Sequence, residues 1–189
     1  YRYCVLSNRK KNYLGVTDSG KVDVKGLTGK KSHTPGFIKK LFFDLLDVLS
    51  EVKTMEDFVK AKKQISEKIA DCGKKVEAKE IPLEDLTFNV MLSKAPSEYV
   101  KTIPQHIRAA KQLESIRELK KGDKISFIKI LNKPGVKPVE LAKKEEIDSK
   151  KYMEFLESTL EQITSSMDLD FDTILGKPKQ TGLDEFFWS

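Results

Sequence analysis

The hydrophobic period of this chain changes near residue 32, and that change commits it to a mixed architecture. Before it, Tyr3 and Val5, Tyr13 and Gly15, and Val22 and Val24 alternate with polar neighbours, the spacing of half-buried strands. Ser7-Asn8-Arg9 and Asp18-Ser19-Gly20 are turn-rich breaks between these runs, so a small antiparallel meander is expected. Beyond it, Phe37, Leu41, Leu45 and Leu49 follow at i+4 steps, backed by Ile38, Phe42 and Leu46. Thr34-Pro35 supplies a start, with Thr34 as N-cap and Pro35 as the first helical residue, and the helix should run to about Ser50. A second helix is expected from Thr54, whose hydroxyl and Asp57 suit a capping box. Its buried stripe is Met55, Phe58, Ala61, Ile65, Ile69 and Cys72, and Gly73 is placed to end it.

Residues 82–86 read as one turn leading into an extended 88–92. A third helix starts near Pro104 with Ile107, Ala110, Leu113 and Ile116 inward. Lys121-Gly122-Asp123 is a turn; Ile125, Phe127 and Ile130 belong to a strand; Pro134-Gly135 and Pro138 mark a loop. Asp148 caps a fourth helix with Tyr152, Phe155, Leu156, Leu160 and Ile163 inward, and Gly176 closes the ordered part. The expected fold class is α+β: a small meander, a mostly helical body with one or two strands, and a flexible C-terminal tail.

With 189 residues, 39% hydrophobic and 34% charged, the chain can bury a core and is neither fibrous nor of low complexity. No apolar run approaches the roughly 18 residues a membrane span needs, and no signal-peptide pattern opens the chain, so no membrane partner is expected. Cys4 and Cys72 are the only cysteines, too few for a disulfide framework or a zinc ribbon, which suits a reducing, cytoplasmic setting. The chain opens on Tyr1 rather than Met and is read as a piece of something longer.

The net charge of +6 is unevenly spread. Residues 1–40 carry ten basic and two acidic side chains, while the rest carry 25 basic and 27 acidic. One sign concentrated on a short segment attracts polyanions, because each neutralised phosphate releases condensed counterions. A solvated lysine-rich face explains the composition equally well, so other features must decide.

The last residues supply one. Gln180-Thr181-Gly182-Leu183-Asp184-Glu185-Phe186-Phe187 sets an aliphatic side chain three residues before an aromatic pair. In one 3₁₀ turn, Leu183 and Phe186 eclipse and Phe187 flanks them, a cluster that needs a pocket in its own chain or another. The spacing resembles the peptide by which replication and repair proteins bind the sliding clamp, which implies that Gln180, Leu183, Phe186 and Phe187 are clamp-binding. Burying three such side chains contributes about 5 to 8 kcal/mol gross, and ordering a free tail leaves roughly micromolar affinity.

Lys10-Lys11-Asn12-Tyr13-Leu14-Gly15 places two ammonium groups and a phenol at a strand start, where they could reach phosphates and base edges in a minor groove. This string, followed by Val22-Asp23-Val24-Lys25-Gly26-Leu27, resembles the end of the palm in B-family DNA polymerases. Pro104-Gln105-His106-Ile107-Arg108-Ala109-Ala110-Lys111 resembles the family's thumb motif, Gly122-Asp123-Lys124-Ile125-Ser126-Phe127 its glycine–aspartate strand, and the Tyr152 helix follows in order. The likeness covers nearly the whole chain and is nearest to archaeal replicative enzymes. It implies palm strands over 1–32, a thumb over 33–175 and a clamp-binding tail over 176–189. It also implies that Lys10, Lys11, Tyr13, Lys30, Lys31, Gln105, His106 and Lys111 bind DNA, the first three reading minor-groove acceptors that every correct pair presents alike. Lys30-Lys31-Ser32-His33 stands where many relatives have Arg-Arg-Asp. For His106, capping or core hydrogen bonding remains open beside DNA contact; for His33 a capping or core role is preferred. His106 and Lys111 lie about 140° apart on a helix and could straddle a backbone.

The family's metal-binding carboxylates would lie upstream of Tyr1. Thr17-Asp18-Ser19 ends like that string, but before Gly20 it reads as a hairpin turn. No catalytic residue is therefore assigned, no cofactor is expected on this chain, and Mg²⁺ is expected in the complete polymerase. Expected partners are primer–template DNA, the sliding clamp, and either a larger subunit or the remainder of one polypeptide, with a separate chain preferred. The alternative is a non-enzymatic DNA-binding adaptor recruited to the clamp.

Overall fold

Alternating runs at the start of the chain pair as their period demands. The computed structural model describes residues 1–6, 13–27, 29, 31 and 33–176, without the side chains of residues 4–6 and 162. Strands β1 (Tyr3–Leu6), β2 (Tyr13–Val16) and β3 (Val22–Lys25) form an antiparallel sheet in the order β1-β2-β3. The break at 7–9 lies outside the described residues. The turn between β2 and β3 is the expected one: the Gly20 N–H donates to the Thr17 carbonyl at 2.9 Å, and Gly20 adopts a φ of 83°. Leu14 and Val16 face inward and are fully buried, sharing one hydrophobic cluster with the helices.

Helix α1 (Gly36–Ser50) buries Phe37, Ile38, Leu41, Phe42, Leu45, Leu46 and Leu49, the stripe read from the sequence. Its start falls one residue later than expected. Pro35, with an extended ψ of 147°, is the N-cap, and Thr34 is buried in the preceding turn with its N–H on the Lys31 carbonyl. Gly29 lies so close to Phe42 that a Cβ there would overlap the buried ring. Gly29→Ala should therefore cost about 1 to 3 kcal/mol through overpacking, read as a lowered midpoint of thermal unfolding; an unchanged midpoint would mean that Phe42 can shift.

Helix α2 (Met55–Glu77) begins with the expected capping box, the Asp57 N–H on Thr54 Oγ1 at 3.1 Å and the Thr54 N–H on Asp57 Oδ2 at 3.0 Å. Those bonds hold the Asp57 carboxyl below its usual range, the Thr54 contact contributing most. Met55 is 77% exposed, because it stands in the first turn, outside the stripe that begins at Phe58. Gly73 does not end the helix. It is buried within α2, where Leu175 crosses so closely that a side chain would collide. The helix ends on Lys79, a non-glycine residue at φ 55°, with the Lys79 N–H on Val76 O at 3.1 Å and the Glu80 N–H on Lys75 O at 2.8 Å. These are the paired bonds of a Schellman cap.

A 3₁₀ turn (Leu83–Leu86) leads into β4 (Phe88–Met91), and α3 (Gln105–Leu113) starts after Pro104. Ile116 falls beyond α3 and is 61% exposed, contrary to expectation. Strand β5 (Lys124–Lys129) pairs β4 with Phe88 opposite Phe127. Where a loop was expected, β6 (Val136–Pro138) completes a second antiparallel sheet, β4-β5-β6, returning through a turn that contains Pro134 and Gly135. Ile130 forms an isolated bridge with Ile147 rather than extending β5.

Helix α4 (Ser149–Thr164) is capped by Asp148, whose Oδ1 accepts from the Lys151 N–H at 3.1 Å. A short α5 (Phe171–Ile174), absent from the sequence reading, packs against α2 and α4. Tyr152 of α4 is fully buried at the junction: its hydroxyl donates to the Leu86 carbonyl at 2.8 Å and accepts the Lys129 N–H at 3.0 Å. Its ring stacks on Phe88 at 5.9 Å and meets Phe37 edge-on at 6.0 Å. The fold is thus α+β, with two small antiparallel sheets joined to the helices by one hydrophobic cluster. Buried Cys72 is a free thiol, pushed up to about 11 chiefly by burial. Among the described residues no helix is long and apolar enough to cross a membrane.

Candidate nucleic-acid interface

Alternation along the meander puts Tyr13 and Asp23 on the face opposite the buried Leu14 and Val16. In register, Asp23 stands across from Gly15 and Lys25 across from Tyr13. With no side chain on Gly15, the Asp23 carboxylate reaches diagonally to Tyr13, whose O–H donates to Asp23 Oδ2 at 3.0 Å. The Tyr1 O–H donates to the same oxygen at 2.7 Å, and the two phenol rings meet edge-on with centroids 6.5 Å apart. The Asp23 bond, first among several contacts, raises the pKa of Tyr1. Lys21 and Lys25 are exposed at the two ends of β3, and Lys31, further along the chain, is exposed as well. Lys10, Lys11 and Lys30 lie outside the described residues, as do Gln180, Leu183, Phe186 and Phe187 of the tail.

The other predicted side chains sit on α3. Gln105 Oε1 accepts from Lys129 Nζ at 3.1 Å, so part of its polar capacity is used internally. His106 is half-buried and meets the Tyr99 ring edge-on at 6.4 Å; burial lowers its pKa and favours the neutral imidazole. Lys111 is exposed. His33 is exposed too, which removes the core half of the capping or core role preferred for it.

Sequence reasoning missed the groups that surround these residues. Tyr99 lies under Lys94, whose Nζ is 4.5 Å from the ring centroid, and its hydroxyl is 2.8 Å from Ser93 Oγ. The ammonium of Lys129 stands 5.2 Å from the Phe88 ring centre, with its pKa lowered first by burial and then by Lys151. Arg108 Nη1 donates to the Pro134 carbonyl at 3.0 Å, while its buried Nε has no hydrogen-bond partner among the described residues. The visible signal for Tyr99 was an aromatic set between Lys94 and Lys101 just before the helix-starting proline.

Cations, amides and aromatic faces of this kind bind; they do not by themselves make or break bonds. Among the described residues no three His, Cys, Asp or Glu side chains gather to hold a metal ion. Those residues therefore do not fit a two-metal centre.

The sequence profile of DNA polymerase family B matches residues 1–172. The chain is similar to DNA polymerase 1 of Sulfolobus acidocaldarius, at 40% identity over 190 residues that take in 100% of this chain and 21% of that protein. It is similar to DNA polymerase 1 of Saccharolobus solfataricus at 39% identity, covering 99% of this chain and 21% of that one. Among solved structures, the family B DNA polymerase from the hyperthermophilic archaeon Pyrobaculum calidifontis shares the fold, with a TM-score of 0.61 at 18% identity over 87% of this chain and 20% of that one. The chain spans about a fifth of the length of the curated relatives it matches.

Proposed function

This chain belongs to DNA polymerase family B, and from that premise we propose that it is the palm end and thumb of a replicative DNA-directed DNA polymerase. Its work is positioning: it grips the primer–template duplex while the rest of the polymerase carries out nucleotidyl transfer. The observation that carries this reading is the charge of residues 1–40, ten basic against two acidic side chains, with Lys21 and Lys25 exposed beside a polar sheet face and Lys31 exposed further along. That face suits a phosphate backbone, and Tyr13 beside it suits a groove edge. Lys10, Lys11, Lys30 and Lys31 are proposed to meet the duplex near the primer end, and His106 and Lys111 to meet it from α3. The carboxylates that hold Mg²⁺, and hence catalysis, are assigned to the remainder of the polymerase, and Gln180, Leu183, Phe186 and Phe187 to the sliding clamp. Tethering of that kind raises the local concentration of enzyme at its primer, so a weak peptide suffices for long synthesis.

The test is a salt titration of duplex binding by the assembled polymerase. Lys11→Ala should weaken binding and reduce the slope of log K against log salt by about 0.9 if Lys11 meets a phosphate. Weaker binding with an unchanged slope would move Lys11 to a base edge, and unchanged binding would remove it from the interface. A DNA-binding adaptor, the competing reading, predicts that the chain leaves primer extension unaltered in the absence of clamp.

A further inference from the structure

The bond between Tyr13 and Asp23 fixes which way a proton points, and that has a consequence for what Tyr13 can recognise. An ionised carboxylate accepts and cannot donate. The 3.0 Å contact therefore commits the single Tyr13 O–H to Asp23 Oδ2, and the Tyr1 O–H is committed to the same oxygen at 2.7 Å. What the Tyr13 phenolic oxygen has left to offer is lone pairs. In a minor groove, A·T and T·A pairs show only acceptors at this edge, whereas G·C adds the guanine 2-amino donor. A tyrosine with a free hydroxyl could donate to any of these pairs; a tyrosine held by a carboxylate matches only the amino group.

We infer that Asp23 is a positioning residue that turns Tyr13 into a hydrogen-bond acceptor for the guanine 2-amino group in the minor groove of the bound duplex. This rests on the proposed duplex-binding role of Tyr13 but departs from the expectation that Tyr13 reads acceptors common to all pairs: Lys10 and Lys11 can still donate to those, while Tyr13 registers the one feature that differs. Gly15 is part of the device. It stands directly opposite Asp23 in the ladder and presents no side chain on the face that Tyr13 and Asp23 share. Tyr1 braces the carboxylate from the other side through its own bond and its edge-on ring contact.

The experiment measures binding of the assembled polymerase to primer–templates that differ only in minor-groove amino groups near the primer end. Replacing guanine by inosine removes the amino group, and replacing adenine by 2,6-diaminopurine adds one. The unmodified protein should bind the inosine duplex about fivefold more weakly and the diaminopurine duplex correspondingly more tightly, the scale of one hydrogen bond. Asp23→Ala should erase this preference while keeping the salt dependence of binding, because the freed hydroxyl can then donate to acceptors. Tyr13→Phe, which keeps the ring, should erase it too and carries the test if Asp23→Ala fails to fold. Salt-dependent binding with no amino preference in the unmodified protein would overturn the inference and leave the duplex-binding reading standing. An amino preference that survives either substitution would overturn it as well. Loss of salt-dependent binding altogether would overturn the reading beneath it.

Discussion

Tyr152→Ala should lower the stability of the folded chain by about 4 to 8 kcal/mol, the largest single-residue effect expected in this structure. Deleting a buried aromatic side chain costs about 3 to 5 kcal/mol, and stranding its former hydrogen-bond partners adds roughly 1 to 3. Both contributions apply here, because the ring is fully buried against Phe88 and Phe37 and the hydroxyl serves the Leu86 carbonyl and the Lys129 N–H together. At this chain length the midpoint of thermal unfolding should fall by about 8 to 30 °C. Tyr152→Phe separates the two contributions: it keeps the ring and should cost only about 1 to 3 kcal/mol. If Tyr152→Phe proved as damaging as Tyr152→Ala, the aromatic stack would not be what holds the second sheet to α4.

The second large effect is functional. Joint replacement of Phe186 and Phe187 by Ala should abolish stimulation of primer extension by the sliding clamp and leave extension without clamp intact. Each phenylalanine contributes about 1.5 to 3 kcal/mol when buried, so losing both weakens a micromolar peptide by about a hundredfold or more. Extension assays with and without clamp read this directly. Loss of activity in both assays would mean that the tail supports the fold instead of a partner, and undiminished stimulation would assign the clamp contact elsewhere.

The features legible in the sequence are those whose partners lie within a turn or two. Thr54 and Asp57 form their capping box because both groups sit at fixed offsets from one helix start. Asp148 caps α4 for the same reason. The stripes of α1 and α4 follow from period alone, since one continuous core faces them. Misreadings arise where the deciding neighbour is remote. Gly73 looked like a helix stop, yet its smallness serves the crossing of Leu175, a hundred positions away in the chain and invisible to local pattern. The true stop, Lys79, carries no glycine signal, and its side chain is held by a bond to the Glu145 carbonyl at 2.6 Å. Met55 and Ile116 fit the inward spacing, but Met55 stands in the first turn of α2 and Ile116 beyond the end of α3, where the core does not reach them.

The candidate interface divides along the same line. The basic character of residues 1–40 is a property of composition and was legible at once. The restraint of Tyr13 by Asp23 depends on strand register, and the pairing of Tyr99 with His106 depends on how the segment before α3 folds back. Neither could be counted from spacing.

The first strand is fastened where α1 gives way to α2. Arg2 donates to the Val52 carbonyl at 3.3 Å and to the Asp18 carbonyl at 2.8 Å, and the Tyr3 hydroxyl, whose pKa burial pushes up to about 12, donates to the Leu49 carbonyl. Such stitching ties the opening segment to the elbow of the helical pair, so Tyr1–Tyr3 cannot swing away from it without breaking the Arg2 and Tyr3 bonds.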